Sequence, residues 1–168
     1  MSWRDRTFVD GELVVRPWAD GDQALLGTSQ RDPEIGRYFG RAVDHVEGEP
    51  LPDDPDAPVL AITESGAVVG VLWFRRGARP FEVGYYLKRD CWGRGLATRS
   101  LRLVSDWMLG ELGEDEIVLC THPGNVRSQA VAARAGYARE GVVERYAEFK
   151  DGTTIAYRFV RRQPNVNA

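Results

Sequence analysis

The chain has 168 residues, 43% of them hydrophobic, with a formal charge of −3 and a pI near 5.5. That length suits one domain that buries its own core without staples, and the acidic balance argues against nucleic acid as the main partner. No apolar run nears the length that spans a bilayer, and charge interrupts the opening "MSWRDRTFVDGELVV"; Cys91 and Cys120 make neither a disulfide framework nor a metal-ligand spacing. The expectation is a soluble, reduced, cytoplasmic protein with no membrane partner. It comprises one domain over 1–168, with a core of about 13–160 and a frayed tail at 164–168.

In chain order, residues 12–16 (ELVVR) read as a strand stopped by Pro17. Asp20, with Gln23 three residues on, has the spacing of a capping box and opens a first helix. Asp32-Pro33 opens a second, Asp as cap and Pro at the first helical position. Residues 44–58 carry prolines and acids and read as a loop. Between Arg41 and Arg75 there is no Lys or Arg, yet Asp44, Glu47, Glu49, Asp53, Asp54, Asp56 and Glu64 fall there. Such an interval is either a solvated surface or a negative rim near a cationic ligand. "PVLAITE" and "AVVGVLWFRR" read as two strands of a hairpin across Ser65-Gly66.

A further strand, Val83 to Leu87, runs into the turn Gly93-Arg94-Gly95 and then a helix whose Ala97, Leu101, Val104 and Met108 make a buried stripe. "EIVLC" is the next strand, and "NVRSQAVAARAG" a helix capped by Asn125 and ended by Gly136. The last portion reads as two strands joined across Asp151-Gly152. The result is a mixed α/β domain, its sheet antiparallel at the start and end with a parallel crossing in the middle.

Two glycines and an arginine at a strand-to-helix junction suit a pyrophosphate. A helix N-terminus offers unpaired N–H groups and partial positive charge, glycine lets the backbone approach, and Arg94 adds charge. The stretch alone is equally a tight turn with no ligand. Neither familiar cradle fits: a dinucleotide fingerprint would need Gly where Thr98 stands, and a P-loop would need a Lys after the glycines.

The stretch Trp92-Gly93-Arg94-Gly95-Leu96-Ala97 resembles the Gln/Arg-x-x-Gly-x-Gly/Ala signature of the GNAT superfamily of acetyl-CoA-dependent N-acetyltransferases. Trp92 departs from its first position. A second motif, "THPGNVRSQAVAARAGY" with Asn125, Ser128, Val131, Gly136 and Tyr137, and the following "REG", are similar to the RimJ/RimL-like subgroup that acetylates ribosomal-protein N-termini. The resemblance covers roughly Leu13 to Val160 and implies the GNAT fold. That is a central, mostly antiparallel twisted sheet flanked by helices, with a parallel strand pair, 83–87 and 117–120, splayed around acetyl-CoA. It implies pantetheine pairing near Tyr86 and Leu87 and pyrophosphate held by the N–H groups of Arg94, Gly95, Ala97 and Thr98. Trp92, Gly93, Leu96 and Asn125 stand beside them, and no metal is implied.

The resemblance further implies direct attack by a primary amine, with Leu87 N–H at the oxyanion, Glu82 as candidate base and Ser128 beside the departing thiolate. Many members use a Tyr on the second motif's helix, where this chain has Ala132. The structural alternatives are a surface carboxylate for Glu82 and a helix-capping serine for Ser128. Arg127 and Arg134 either reach the 3′-phosphate or solvate their helix, and His122 is a candidate lining residue. Three readings stay open: an acetyltransferase for protein N-termini, one for small amines, or a non-catalytic acyl-CoA-binding regulatory module. The oligomeric state is open between monomer and homodimer.

Overall fold

The computed structural model describes residues 5–24, 32–39, 58–76 and 80–163. Eight strands form one sheet: β1 (Phe8–Asp10), β2 (Leu13–Pro17), β3 (Val59–Glu64), β4 (Ala67–Arg76), β5 (Phe81–Leu87), β6 (Glu116–Thr121), β7 (Ala138–Val143) and β8 (Ala156–Arg162). Their order across the sheet is β1-β2-β3-β4-β5-β6-β8-β7, and β5–β6 is the parallel neighbour pair. The described helices are α1 (Pro33–Gly36), α2 (Leu96–Gly110) and α3 (Val126–Arg134), with short 3-10 turns at Asp20–Asp22 and Arg89–Cys91. None is long and apolar enough to cross a membrane.

Local chemistry accounts for the elements. Ser65 and Gly66 both take positive φ (49° and 81°), the geometry a two-residue hairpin demands, and β3 runs back along β4 from there. The stripe Ala97, Leu101, Val104 and Met108 of α2 is buried against the sheet, where Leu13, Leu72, Val83 and Ile117 belong to the same core. Asp32 caps α1 by accepting from the Glu34 N–H at 2.9 Å, and Asn125 caps α3 through the Ser128 N–H at 3.1 Å.

The site depends on how β5 and β6 meet. They pair only at Phe81↔Ile117 and Glu82↔Val118, then part. Each is held on its far side, β5 by seven register pairs to β4 and β6 by six to β8. The splay is fixed from outside, so the expected strand pair is present, with β5 starting two residues before 83 and β6 one residue longer at each end than 117–120.

Several expectations need correcting. The hairpin partner β1 is an additional strand; at three residues it is too short for a period-2 pattern, and Phe8 holds it by packing edge-on against Trp107, ring centroids 5.4 Å apart. Asp20 is not the cap of the first helical turn. That position is Ala19, whose N–H is taken by the Asp22 carboxylate at 2.9 Å. Asp151-Gly152 does turn the chain, but at the tip of the connection 144–155, because β7 and β8 pair only as far as Val143↔Ala156. Cys91, in the 3-10 turn after β5, is buried. Six of the seven acids in the cation-free interval, Asp44 to Asp56, lie outside the described residues, as does the tail 164–168.

Asp22 is buried and receives both guanidinium nitrogens of Arg16, at 2.7 and 2.9 Å. Arg16, opposed by burial, holds this carboxyl below its usual range. A depressed folded pKa adds stability that is present above the unfolded value and lost as pH falls through the folded one. Asp22→Asn should therefore cost about 2 kcal/mol at pH 7, less than a fully buried pair because Arg16 is partly exposed. Denaturant unfolding of both proteins should show the gap shrinking as pH falls below 4.

Candidate active site

A cavity of about 1270 Å³ fills the fork between β5 and β6 and extends over the N-termini of α2 and α3. The backbone of β5 supplies its floor. Lys88 N–H donates to the Val69 carbonyl at 2.8 Å, so alternation turns the backbone groups of Lys88, Tyr86 and Gly84 toward β4. Those of Leu87, Tyr85 and Val83 face the gap. Tyr86 thus offers the cavity its side chain, while Tyr85 and Leu87 turn backbone toward it. The Leu87 carbonyl is already taken by the indole N–H of Trp92 at 2.9 Å. That bond explains the departure at the signature's first position, since Trp92 ties the loop to the end of β5.

The loop then enters α2. Gly93 and Gly95 both sit in left-handed backbone (φ 76° and 77°), and no side chain caps the helix. A Cβ built at either glycine would touch nothing within 4 Å, so conformation and open approach, not crowding, require glycine there. Trp92, Gly93, Gly95, Leu96, Ala97, Thr98 and Asn125 all line the cavity. Arg94 is not among its lining residues: its guanidinium is turned to Glu64, 2.6 Å away at the end of β3. Only the Arg94 backbone is left to the cradle. The cations on the helix side of the cavity are instead Arg127, stacked 5.0 Å over the Trp92 ring, and Arg134. The uncapped helix end, the two positive-φ glycines and these arginines fit a phosphate-bearing ligand such as coenzyme A.

Glu82 stands at the point where the strands part. Its carboxylate accepts from Arg75 at 2.9 Å and from the Tyr146 hydroxyl. Burial and the Glu82 charge push the Tyr146 phenol up, so it stays a donor, and burial with the same charge pushes the Cys120 thiol up to about 12. Across the cavity, Ser128 in the first turn of α3 accepts from the Tyr85 hydroxyl at 3.3 Å. Ala132, one turn on, is buried in the core.

The wall opposite the helices is aromatic. Trp73 lies flat over Gly84, where any Cβ would come within 2.3 Å of its ring. Phe39 and Trp73 flank Tyr86 at centroid distances of 5.6 and 6.3 Å. His122 is wedged between Tyr38 and Phe149; its Nδ1 accepts from the Gly124 N–H at 2.9 Å, and its Nε2 stands 3.0 Å from Asp151. With its acceptor nitrogen occupied, His122 anchors the 144–155 connection and is no free base.

Every candidate except Arg94 therefore borders one cavity. Sequence reasoning missed Tyr146, Arg75, Tyr85, Tyr38, Phe39 and Phe149. Tyr85 sat in a strand run that looks like ordinary core, and nothing local ties Tyr146 to Glu82.

Trp92→Phe keeps the ring and loses the bond to Leu87. Coenzyme A affinity, measured by calorimetry, should fall about 10-fold, the order of one hydrogen bond. Arg94→Ala should change it less than Arg127→Ala.

The acetyltransferase (GNAT) domain model matches residues 12–138. "Putative ribosomal N-acetyltransferase YdaF" of Bacillus subtilis is 32% identical over 63 residues, which span 38% of this chain and 34% of that protein. Among solved structures, Mycobacterium smegmatis RimJ in complex with CoA-disulfide superposes with a TM-score of 0.77 at 19% identity, covering 100% of this chain and 93% of that one. The ribosomal-protein-S5-alanine acetyltransferase of Vibrio fischeri does so with a TM-score of 0.75 at 16% identity, covering 98% and 100%. At those identities the structures speak for the fold, and the domain match over most of the chain speaks for the family. This chain belongs to the GNAT acetyltransferase family.

Proposed function

We propose that this protein transfers the acetyl group of acetyl-CoA to a cationic primary amine, with a basic protein N-terminal segment as its acceptor, by direct attack in a ternary complex. The observation that carries this reading is the partition of charge around the cavity. The helix side holds the uncapped end of α2 together with Arg127, stacked on Trp92, and Arg134 at the end of α3. The opposite side holds Glu34, Glu82 and Glu148, and its cation, Arg75, is already bound to Glu82. Phosphates are favoured on one side and an ammonium on the other. The names borne by the Vibrio fischeri ribosomal-protein-S5-alanine acetyltransferase and by YdaF, a putative ribosomal N-acetyltransferase, support a protein amine as acceptor class.

In the reaction, the neutral amine attacks the thioester carbonyl; a C–N bond forms, the C–S bond breaks, and the electron pair leaves on sulfur. Glu82 receives the proton the nitrogen loses, directly or through one water, for roughly 10²–10⁴-fold in rate. The Leu87 N–H, turned to the gap, is placed to hold the oxyanion, a contact of a kind worth on the order of 10²–10³-fold. Ser128 hydrogen-bonds the departing thiolate.

Steady-state release of free CoA against a panel of amines and N-terminal peptides tests this. Basic peptides should be the best acceptors, with kcat/KM falling as salt rises over a screening length of about 8 Å. Neutral or acidic best acceptors would overturn the acceptor assignment, and no CoA release with any amine would leave a binding module. Glu82→Gln should lower kcat by about 10²-fold near pH 6, where an α-amino group of pKa about 7.7–8.0 is mostly protonated. The deficit should shrink as pH rises and the amine sheds its own proton.

A further inference from the structure

We infer that Tyr85 is the positioning residue that makes Ser128 a hydrogen-bond donor to the departing thiolate, because its phenol occupies the Ser128 hydroxyl oxygen from the facing strand. The inference rests on the acetyl-transfer reading above.

A first-turn helical serine ordinarily turns its proton back to the carbonyl three or four residues earlier. Here the Gly124 route is filled by two donors, and the Asn125 carbonyl already holds its helical bond. The Gly124 carbonyl accepts from the Val126 N–H at 3.0 Å and the Tyr38 hydroxyl at 3.2 Å, and the Asn125 carbonyl accepts from the Gln129 N–H at 3.1 Å. The Tyr85 hydroxyl donates to Ser128 Oγ at 3.3 Å, so Oγ is also supplied from β5. With its oxygen supplied from β5, the serine can turn its own proton to the cavity, which both residues line.

Tyr85 cannot serve as the acid itself while its proton is committed to Ser128. Burial, partly offset by Ser128 and Arg134, pushes its phenol up to about 12, which keeps it protonated throughout turnover. The arrangement places a phenol-backed hydroxyl beside α3 although Ala132 carries none. In the balance of the step, the C–S pair goes to sulfur and Ser128 contributes a hydrogen bond with no net proton. The proton that finally sits on the thiol is the one the amine released, carried by water.

Chain hydrogen bonds polarise one another, so removing the phenol weakens the serine as a donor as well as freeing it to turn. Tyr85→Phe should lower kcat about 10-fold, leaving the acetyl-CoA KM and calorimetric coenzyme A affinity within about two-fold. Ser128→Ala should lose at least as much, and the double variant should be no slower than Ser128→Ala alone, because Tyr85 acts only through the serine. An unchanged kcat in Tyr85→Phe, a multiplicative loss in the double variant, or a KM rising in step with the kcat loss would each overturn the inference. Wild-type-like turnover by Ser128→Ala would sink it while leaving the acetyltransferase standing; a wild type that releases no CoA with any amine would sink both. Should Tyr85→Phe fail to fold, 3-fluorotyrosine at position 85 keeps the shape and strengthens the donor. It should raise kcat about two-fold at pH 7, and no change or a fall overturns the inference.

Discussion

Two residue pairs, and then none, join β5 to β6. Ordinary parallel strands continue their ladder until one of them ends; these are drawn apart while both are still in the sheet. Their outer partners win the competition for them, since a strand bonded along its whole outer edge cannot bend toward its inner neighbour without breaking that ladder. Among the described residues no strand pairing crosses the gap beyond Glu82, and the Leu87 carbonyl turns to the Trp92 indole instead. An unpaired buried N–H or C=O costs roughly 1–3 kcal/mol, so the gap suits a guest that supplies amide-like groups of its own. The candidate site is arranged around that gap: the glycine loop where β5 ends, the helix-borne hydroxyl of Ser128 on one bank and the Glu82 carboxylate at the vertex.

The two banks are built differently. The helix side comes from two continuous stretches, 92–98 and 125–134, whose geometry is local: glycines in left-handed backbone, an asparagine cap, an indole tied back to its own strand. The other side is assembled from distant segments. Phe39, Trp73, Tyr86, His122, Tyr146 and Phe149 come from five separate parts of the chain, and each is placed by tertiary contact. Gly84 shows how tight this is, because the wall's largest ring rests where a side chain would begin.

This difference governs what could be read in advance. The helices from Leu96 and Val126, the hairpin at Ser65-Gly66 and the fork strands follow from periodicity, caps and turn residues, which are local, and the motif residues inherit that clarity. The three-residue strand at Phe8 is too short to carry a pattern. Asp20 has the right spacing for a cap, but Arg16, bound to Asp22, sets the turn one residue earlier. Arg94 looked like a phosphate ligand because it lies between two glycines; its partner, Glu64, lies thirty residues away in sequence on β3, beyond the reach of any local rule. Tyr146 and Glu82, 64 positions apart, meet only once the sheet has closed.

That last contact separates two properties usually taken together. The carboxylate at the vertex is oriented by a phenol on the connection between the last two strands, and that connection is pinned in turn by His122 and Asp151. Proteolytic nicking or a folding error confined to the C-terminal connection would leave the loop of residues 92–98 and both helices intact. With Glu82 in the role proposed above, such a molecule would be retained on a coenzyme A resin and pass as native while being catalytically silent. For this architecture, nucleotide capture reports on half of the protein, and only turnover certifies the whole.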